Sequence, residues 1–289
     1  MHQKEITKLT PETILPLTCS RIGTCCHGNQ VLINPWELYL IAKEKKITPK
    51  QFKDLYCELG GIRLKFNGKK DTRGKSACSQ YIDGFGCSLH EGRPLACRLF
   101  PIGRQVQNNE VQYIHQGKTF PCLDGCSEVL NLPKLTVGEY LEGQKANGYE
   151  AAQDFYLEVM QNLADIAFEL LLDSALAESG DTETLRLWRT MSQESPEFLV
   201  SRIGVEWLNA LIVPEINEED SVTFVQKHNE LLQIKIQEKF GNSKTNQEFN
   251  KASVIVMGLT IHLAHGLGAN PQSLVELWIN TAKSYGAKE

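Results

Sequence analysis

The sequence has 289 residues, of which 42% are hydrophobic and 22% are charged, and its formal net charge is −5. These values are typical of a globular protein with one large or two modest domains, and the overall acidity argues against nucleic-acid binding. The first residues, MHQKEITKLTPETILPLT, lack the apolar run of a secretory signal, so we expect none. The most apolar stretch, SVIVMGLTIHLAHGLGA, is interrupted by two histidines, so we expect no membrane span and a cytoplasmic location.

Charge and cysteine are distributed unevenly along the chain. Residues 1–126 hold 18 Lys and Arg against 11 Asp and Glu, a balance of +7, whereas the remaining residues hold 12 against 24. All nine cysteines lie in the basic part. This change of composition predicts a cysteine-rich domain over 1–145 and an α-helical domain over 146–289.

The N-terminal part begins with a cysteine-rich segment, CSRIGTCCHG, at residues 19–28. We predict two helices after it, one starting at Asn34-Pro35 and one at Thr48-Pro49, because a polar cap followed by proline favours a helix start. The segments IRLKFNGKKD and RQVQNNEVQYIHQG alternate in character around asparagine-rich turns, which predicts short strands or hairpins.

The C-terminal part is predicted to be helical. In YEAAQDFYLEVMQNLADIAFELLLDSALAE the apolar residues recur at spacings of three and four, as in an amphipathic helix. Further helices are predicted to open at the cap signal Asp181-Thr182, to end at Gly241, and to restart at Asn270-Pro271. The predicted fold class is therefore α+β, with a small irregular cysteine-rich domain followed by an all-α domain.

Eight cysteines lie on glycine-rich or turn-like segments. Since the cytoplasm keeps thiols reduced, an odd number of cysteines predicts metal binding rather than a disulfide framework. Loops suit such a site because their backbone can bend to bring distant thiolates together. These cysteines are Cys19, Cys25, Cys26, Cys78, Cys87, Cys97, Cys122 and Cys126.

Three other residues with ligating side chains are left out of the predicted site. Cys57 lies inside a predicted helix with no sulfur nearby in sequence, so we interpret it as a packed free cysteine. His262 and His265 are three residues apart in an apolar helix, where a packed, hydrogen-bonded pair is commoner than a metal site.

The metal itself is open between iron and zinc. Structural zinc usually uses paired C-x2-4-C knuckles, and in this chain Cys122-x3-Cys126 is the one pair with that spacing. Widely spaced thiolates from several loops are compatible with an iron–sulfur cluster, which we favour over zinc. His27 and His90 could each replace a thiolate or act as hydrogen-bond donors behind the ligands.

At this point the cysteine pattern resembles a known family. The order C…CC, then C…GxC…RPLxCRxFP, is similar to the bacterial YkgJ-like cysteine-cluster family, described as zinc- or iron-chelating, over residues 19–145. The resemblance rests on Cys25-Cys26, Cys78, Cys87, Arg93-Pro94, Cys97-Arg98, Phe100-Pro101, and Cys122 with the later TVGEYLEGQ. It implies a metal held by Cys19, Cys25, Cys26, Cys78, Cys87, Cys97 and Cys122, with Cys126, His27 and His90 undecided.

Two arginines flank one candidate ligand. Arg93 and Arg98 are permanently cationic and lie within six residues of each other around Cys97. We predict that they bind the cofactor electrostatically, offsetting the negative charge of a thiolate–metal site. Pro94 and Pro101 restrict the backbone on either side.

The sequence thus predicts a bacterial, cytoplasmic metal-binding protein holding an iron–sulfur cluster of the 4Fe–4S type or zinc, with a protein partner on the helical domain. The family is distantly similar to flagellin lysine N-methylases, which implies an alternative: cluster-dependent methyl transfer to a protein lysine. The chain has neither a glycine-rich methyltransferase loop nor a C-x3-C-x2-C motif, so we rank this alternative second. The basic segment RLKFNGKKDTRGK could bind nucleic acid, but such a loop is usually only solvated.

Overall fold

A computed structural model describes residues 6–15, 23–107, 110–116, 131, 133–173 and 183–287. The chain forms two compact units that alternate in sequence. We call residues 1–31 and 64–150 the cysteine-rich unit, and residues 32–63 and 151–289 the helical unit. The fold class is α+β, as predicted. The predicted domains, 1–145 and 146–289, stay a prediction, while the observed division falls after residue 150 and assigns 32–63 to the helical unit.

The strands are short and antiparallel where their register is described. They are β1 Ile6–Leu9, β2 Ile14–Leu15, β3 Cys57–Glu58, β4 Arg63–Leu64, β5 Tyr81–Ile82, β6 Gly86–Cys87, β7 Gly103–Gln107, β8 Glu110–Gln116 and β9 Leu135–Thr136. Three of them form a sheet in the order β1-β8-β7, and the others pair as β2-β9, β3-β4 and β5-β6. The hairpin predicted from RQVQNNEVQYIHQG is confirmed as β7-β8, with Gln107 opposite Glu110.

The helices of the described chain are mostly in the helical unit. They are α1 Pro35–Glu44, α2 Pro49–Tyr56, α3 Leu95–Leu99, α4 Val137–Gly143, α5 Asn147–Asp173, α6 Glu183–Gln193, α7 Pro196–Ile203, α8 Val205–Ile212, α9 Ser221–Phe240, α10 Asn246–Gly266 and α11 Pro271–Ser284. None of the described helices is both long and apolar enough to cross a membrane.

Local capping explains why several helices start where they do. Asn34 and Thr48 each accept a hydrogen bond from the backbone three residues later, and a proline follows each cap, so the predicted starts of α1 and α2 are confirmed. The predicted start of α11 at Asn270 and the end of α9 at Gly241 are confirmed as well. The cap signal predicted at 181–182 lies outside the described residues.

The core of the helical unit is built from large side chains of several helices. Tyr156, Leu163, Trp188 and Phe224 are fully buried, and burial of such side chains stabilises the fold by about 1.5–3 kcal/mol each. Helix α6 packs against α10 and α11, and α10 also packs against α7. The inserted helices contribute to this unit directly, since Trp36 donates to the carbonyl of Glu219 at 3.1 Å.

Candidate metal centre

The adjacent cysteines Cys25 and Cys26 lie on a single 3-10 turn, Thr24–Cys26. Gly23 precedes the turn with a φ of +85°, and its carbonyl accepts from the amide of Cys26 at 2.8 Å. A Cβ atom at Gly23 would lie 2.3 Å from Cε2 of Tyr81. Glycine is therefore required here twice, for the left-handed backbone and for the close approach of the tyrosine ring.

Backbone pairing brings Cys78 beside the first two cysteines. The amide of Cys78 donates to the carbonyl of Cys26 at 2.7 Å, and the amide of Gly28 donates to the carbonyl of Ser76 at 3.0 Å. His27 and Ala77 form an antiparallel bridge between the same two segments. The relative position of these cysteines is thus fixed by main-chain hydrogen bonds.

Cys87 and Cys97 enter from the next two segments. Cys87 lies in β6 directly opposite Tyr81 of β5, so a tight hairpin returns it towards Cys78. Cys97 lies in the five-residue helix α3, where its amide donates to the carbonyl of Pro94 at 2.9 Å. Cys87 and Cys97 were both predicted to lie on turn-like segments. Helix α3 and its hydrogen bonds were not predicted.

The pKa values of Cys25 and Cys26 show that thiols from several segments act on one another. A hydrogen bond from Cys26 lowers the pKa of Cys25, although burial opposes this. The same hydrogen bond raises the pKa of Cys26 well above the usual range, with further contributions from burial and from the charges of Cys25, Cys97 and Cys87. The lower pKa makes Cys25 the preferred thiolate of the pair.

Cys78 belongs to the same electrostatic group. Burial raises the pKa of its thiol to about 11, and the charges of Cys87 and Cys25 add to the shift. These shifts link Cys26 to Cys25, Cys87 and Cys97, and they link Cys78 to Cys87 and Cys25. Within the described parts of the chain, however, no three His, Cys, Asp or Glu side chains are placed so that they could hold one metal ion. Their assignment as ligands stays a prediction.

The comparisons with known proteins identify the region that contains these cysteines. Residues 18–116 match the CxxCxxCC family model, described as "Putative zinc- or iron-chelating domain". This stretch is similar to that family. No curated protein and no solved structure matches the chain. The predicted resemblance is confirmed, over a shorter stretch than the predicted 19–145.

Three cysteines named in the sequence analysis remain untested. Cys19 lies within the CxxCxxCC match, whereas Cys122 and Cys126 lie beyond it. All three fall outside the residues that the structure describes.

The two arginines that flank Cys97, Arg93 and Arg98, have different surroundings. The charge of Arg93 contributes to the lowered pKa of Cys25, after the hydrogen bond from Cys26 and that thiol's own backbone hydrogen bond. Arg98 is buried and donates to the carbonyls of Arg93 and Glu91 and to the hydroxyl of Tyr149. The predicted cofactor-binding role of both arginines stays a prediction, and its electrostatic basis is visible for Arg93.

His27 and His90, the two histidines considered as possible ligands, each have a protein contact. Nδ1 of His27 lies 3.0 Å from the carbonyl oxygen of Gly23, and its ring packs edge-on against Tyr81 with 4.7 Å between centroids. The carbonyl of His90 accepts a hydrogen bond from Arg93. The roles predicted for both histidines, as metal ligands or as hydrogen-bond donors behind the ligands, stay predictions.

Sequence reasoning missed the residues that hold the RPLACRLFP segment from outside the CxxCxxCC match. Tyr140 donates to the carbonyl of Phe100 at 2.6 Å, and the Oε1 atom of Gln144 accepts from Arg93 at 2.5 Å. Tyr149 packs against Arg98. The signal that could have found two of them was the segment TVGEYLEGQ, which contains Tyr140 and Gln144.

Proposed function

We propose that this chain is a cytoplasmic metal-binding protein whose cysteines hold an iron–sulfur cluster. The observation that carries the proposal is the backbone pairing of Cys78 with Cys26 inside a stretch that matches a zinc- or iron-chelating family model. The mutual effect of thiols from four segments on the pKa values of Cys25, Cys26 and Cys78 supports it. Thiols that influence one another in this way repel when deprotonated, so a cation that binds them together removes the repulsion.

The donor set fits a thiophilic metal. Cys25, Cys26, Cys87 and Cys97 are half-buried and carry reduced thiols, as does the buried Cys78. Thiolates select zinc or iron–sulfur clusters, whereas magnesium and calcium prefer oxygen ligands. We expect Cys19 and Cys122 to join this set. Bound there, a cluster would supply one-electron chemistry, and zinc would supply a structural cross-link.

Iron is preferred over zinc because of ligand spacing. The described cysteines of the site come from four segments with no C-x2-4-C knuckle among them. Iron–sulfur clusters accept four thiolates from distant positions, while structural zinc usually uses paired knuckles. The proposed cluster is of the 4Fe–4S type.

Two further parts of the proposal concern partners and the alternative function. We propose that a protein partner binds the helical unit, which carries the acidic part of the sequence. The alternative, cluster-dependent methyl transfer to a protein lysine, gains no support from the described residues or from the comparisons.

The test is purification under anaerobic conditions, followed by an absorption spectrum and elemental analysis. A brown protein with a broad absorption band near 400 nm would support the iron–sulfur proposal (about four iron atoms per chain for a 4Fe–4S cluster). The Cys97→Ala variant should lose the metal. Cys57→Ala is the matched control, because Cys57 is a buried cysteine of the helical unit.

Two outcomes would contradict the proposal. A colourless protein with stoichiometric zinc would mean that the metal is wrong although the site is right. A protein without metal, or one in which both cysteine variants lose it equally, would mean that these thiols do not form a metal site.

A further inference from the structure

We infer that Arg98 is a positioning residue for the metal site, and that Gln144 and Tyr149 are its anchors. This inference rests on the proposed function, because it concerns the segment that supplies Cys97. It extends the site beyond residue 116, where the CxxCxxCC match ends.

The guanidinium of Arg98 is buried and donates two hydrogen bonds to carbonyls of its own segment. The side chain is part of a residue that is 3% exposed. Its Nε donates to the carbonyl of Arg93 at 2.9 Å, and one Nη2 hydrogen bond goes to the carbonyl of Glu91. These two carbonyls precede Cys97, so the arginine folds the chain in front of this cysteine back onto itself.

The same guanidinium is held from the other side by the α4–α5 junction. Arg98 donates to the backbone carbonyl of Gln144 at 2.5 Å and to the hydroxyl of Tyr149 at 2.8 Å. Its Cζ atom also lies 3.9 Å from the centroid of the Tyr149 ring, a cation–π contact. The planar fork thus joins two stretches of chain that are about fifty residues apart in sequence.

A second arginine supports the same junction. Arg93 donates to the carbonyl of His90 and, at 2.5 Å, to the side-chain oxygen of Gln144. Because Arg93 also contributes to the lowered pKa of Cys25, its position matters to the thiols. Gln144 therefore receives one hydrogen bond from each arginine, one through its backbone and one through its side chain.

Lysine cannot replace Arg98 in this arrangement. A buried cation must keep its hydrogen bonds, and an arginine offers donors in a fixed fork whereas a lysine is a point charge on a flexible stem. Loss of the fork should free the segment of Glu91 to Cys97 without removing any candidate ligand. Changes behind metal ligands typically weaken metal binding by about 10- to 100-fold.

The test combines two measurements on the full-length chain. The variants are Arg98→Lys and Tyr149→Phe, with Tyr285→Phe as control because Tyr285 lies exposed in the helical unit. Hydrogen exchange of residues 90–100 is measured on metal-free protein, and release of iron to a chelator is measured on reconstituted protein. We expect faster exchange and release about 10- to 100-fold faster in Arg98→Lys, a smaller change in Tyr149→Phe, and none in the control.

The two readouts separate the inference from the proposed function. If the wild-type chain binds no metal, the proposed function fails, while the exchange measurement still tests whether Arg98 orders the segment. Unchanged exchange in Arg98→Lys would overturn the inference. So would faster exchange combined with wild-type metal release, because the arginine would then stabilise the fold without positioning the site.

Discussion

The amide of Cys78 donates a hydrogen bond to the carbonyl of Cys26 at 2.7 Å. This bond joins the Thr24–Cys26 turn to a segment that lies about fifty residues later in the sequence. The hydrogen bond from Gly28 to Ser76 continues the same pairing. Two of the candidate ligands are therefore brought together by backbone hydrogen bonds, and we expect this part of the site to persist when metal is removed.

Cys25 should react faster than Cys78 in the metal-free protein. Its pKa is lowered by the hydrogen bond from Cys26, whereas burial raises the pKa of Cys78 to about 11. Since the thiolate is the nucleophile, limited alkylation with iodoacetamide near pH 8 should label Cys25 first and Cys78 more slowly, as read by peptide mass spectrometry. Cys26→Ala should slow labelling of Cys25, because the thiol loses the hydrogen bond that lowers its pKa. If Cys25 were labelled at the same rate in Cys26→Ala as in the wild type, the hydrogen-bond explanation would be refuted.

Metal removal should loosen the cysteine-rich unit selectively. Thiolates that are no longer neutralised by a cation repel one another, and the short strands of this unit bury little apolar surface to compensate. We expect hydrogen exchange after chelation to become faster in residues 81–100, which contain Cys87 and Cys97, and to stay slow in α10 and α11, which contain no cysteine. Loss of protection in both units at once would contradict this independence.

The helical unit should lose stability on acidification through two buried histidines. Burial lowers the pKa of His228 to about 4 and that of His262 to about 3, with the charge of His265 adding to the second shift. Because both values lie below the usual 6.5, the unfolded chain takes up protons first as the pH falls. The free energy of unfolding should therefore decrease below pH 6.5, by about 1.4 kcal/mol per pH unit for each histidine until its folded pKa is reached. Urea unfolding between pH 7 and pH 5 measures this slope.

Substitution of the same histidines should have opposite effects at pH 7. Within the described part of the chain the ring nitrogens of His262 have no hydrogen-bond partner, so His262→Leu should raise the free energy of unfolding by about 1 kcal/mol. His228 lies 3.0 Å from both the hydroxyl of Tyr156 and the carbonyl of Ala210. His228→Leu removes both of these hydrogen bonds and should cost about 1–3 kcal/mol. Both variants should show a shallower pH slope than the wild type, and an unchanged slope would exclude these histidines as its cause.

Gly60 should not tolerate a side chain. Its φ is +71°, and a Cβ there would lie 2.6 Å from Cγ2 of Val200 and 2.8 Å from Cε1 of His262. Gly60→Ala should therefore destabilise the helical unit by about 2 kcal/mol or more, measured by urea unfolding. Gly268 has the same φ, and a Cβ there would meet its nearest neighbour, Leu32, at 3.5 Å. Gly268→Ala thus isolates the backbone cost, and an equal loss in the two variants would show that the close contacts at Gly60 contribute nothing.

Elements with local causes could be predicted from the sequence. The starts of α1, α2 and α11 follow from a capping side chain and a proline within a few residues, and these signals are complete in the sequence itself. The β7-β8 hairpin is local in the same sense. The candidate cysteines were visible because thiol-rich turns have few other uses in a reducing compartment.

Elements with distant causes could not be predicted in this way. Strand β1 exists because Ile6 pairs opposite Gln116, and nothing near Ile6 in sequence indicates that partner. Helices α7 and α8 were not predicted; unlike α2, which is equally short, neither begins with a side-chain cap hydrogen bond. Arg98 was predicted to bind the cofactor electrostatically because it flanks Cys97, and this stays a prediction. Its contact with Tyr149 could not be predicted from the neighbouring sequence. Short-range sequence patterns contain none of this information.

The alternation of the two units makes residues 32–63 an insertion. The amide of Leu64 donates to the carbonyl of Val31 at 3.0 Å, so the chain leaves the cysteine-rich unit and returns to it at neighbouring backbone positions. A cut after residue 145 would therefore leave α1 and α2 without their helical partners. Replacing 32–63 by a short Gly-Ser turn would instead remove α1 and α2 and leave the cysteine-rich unit as one continuous stretch of sequence.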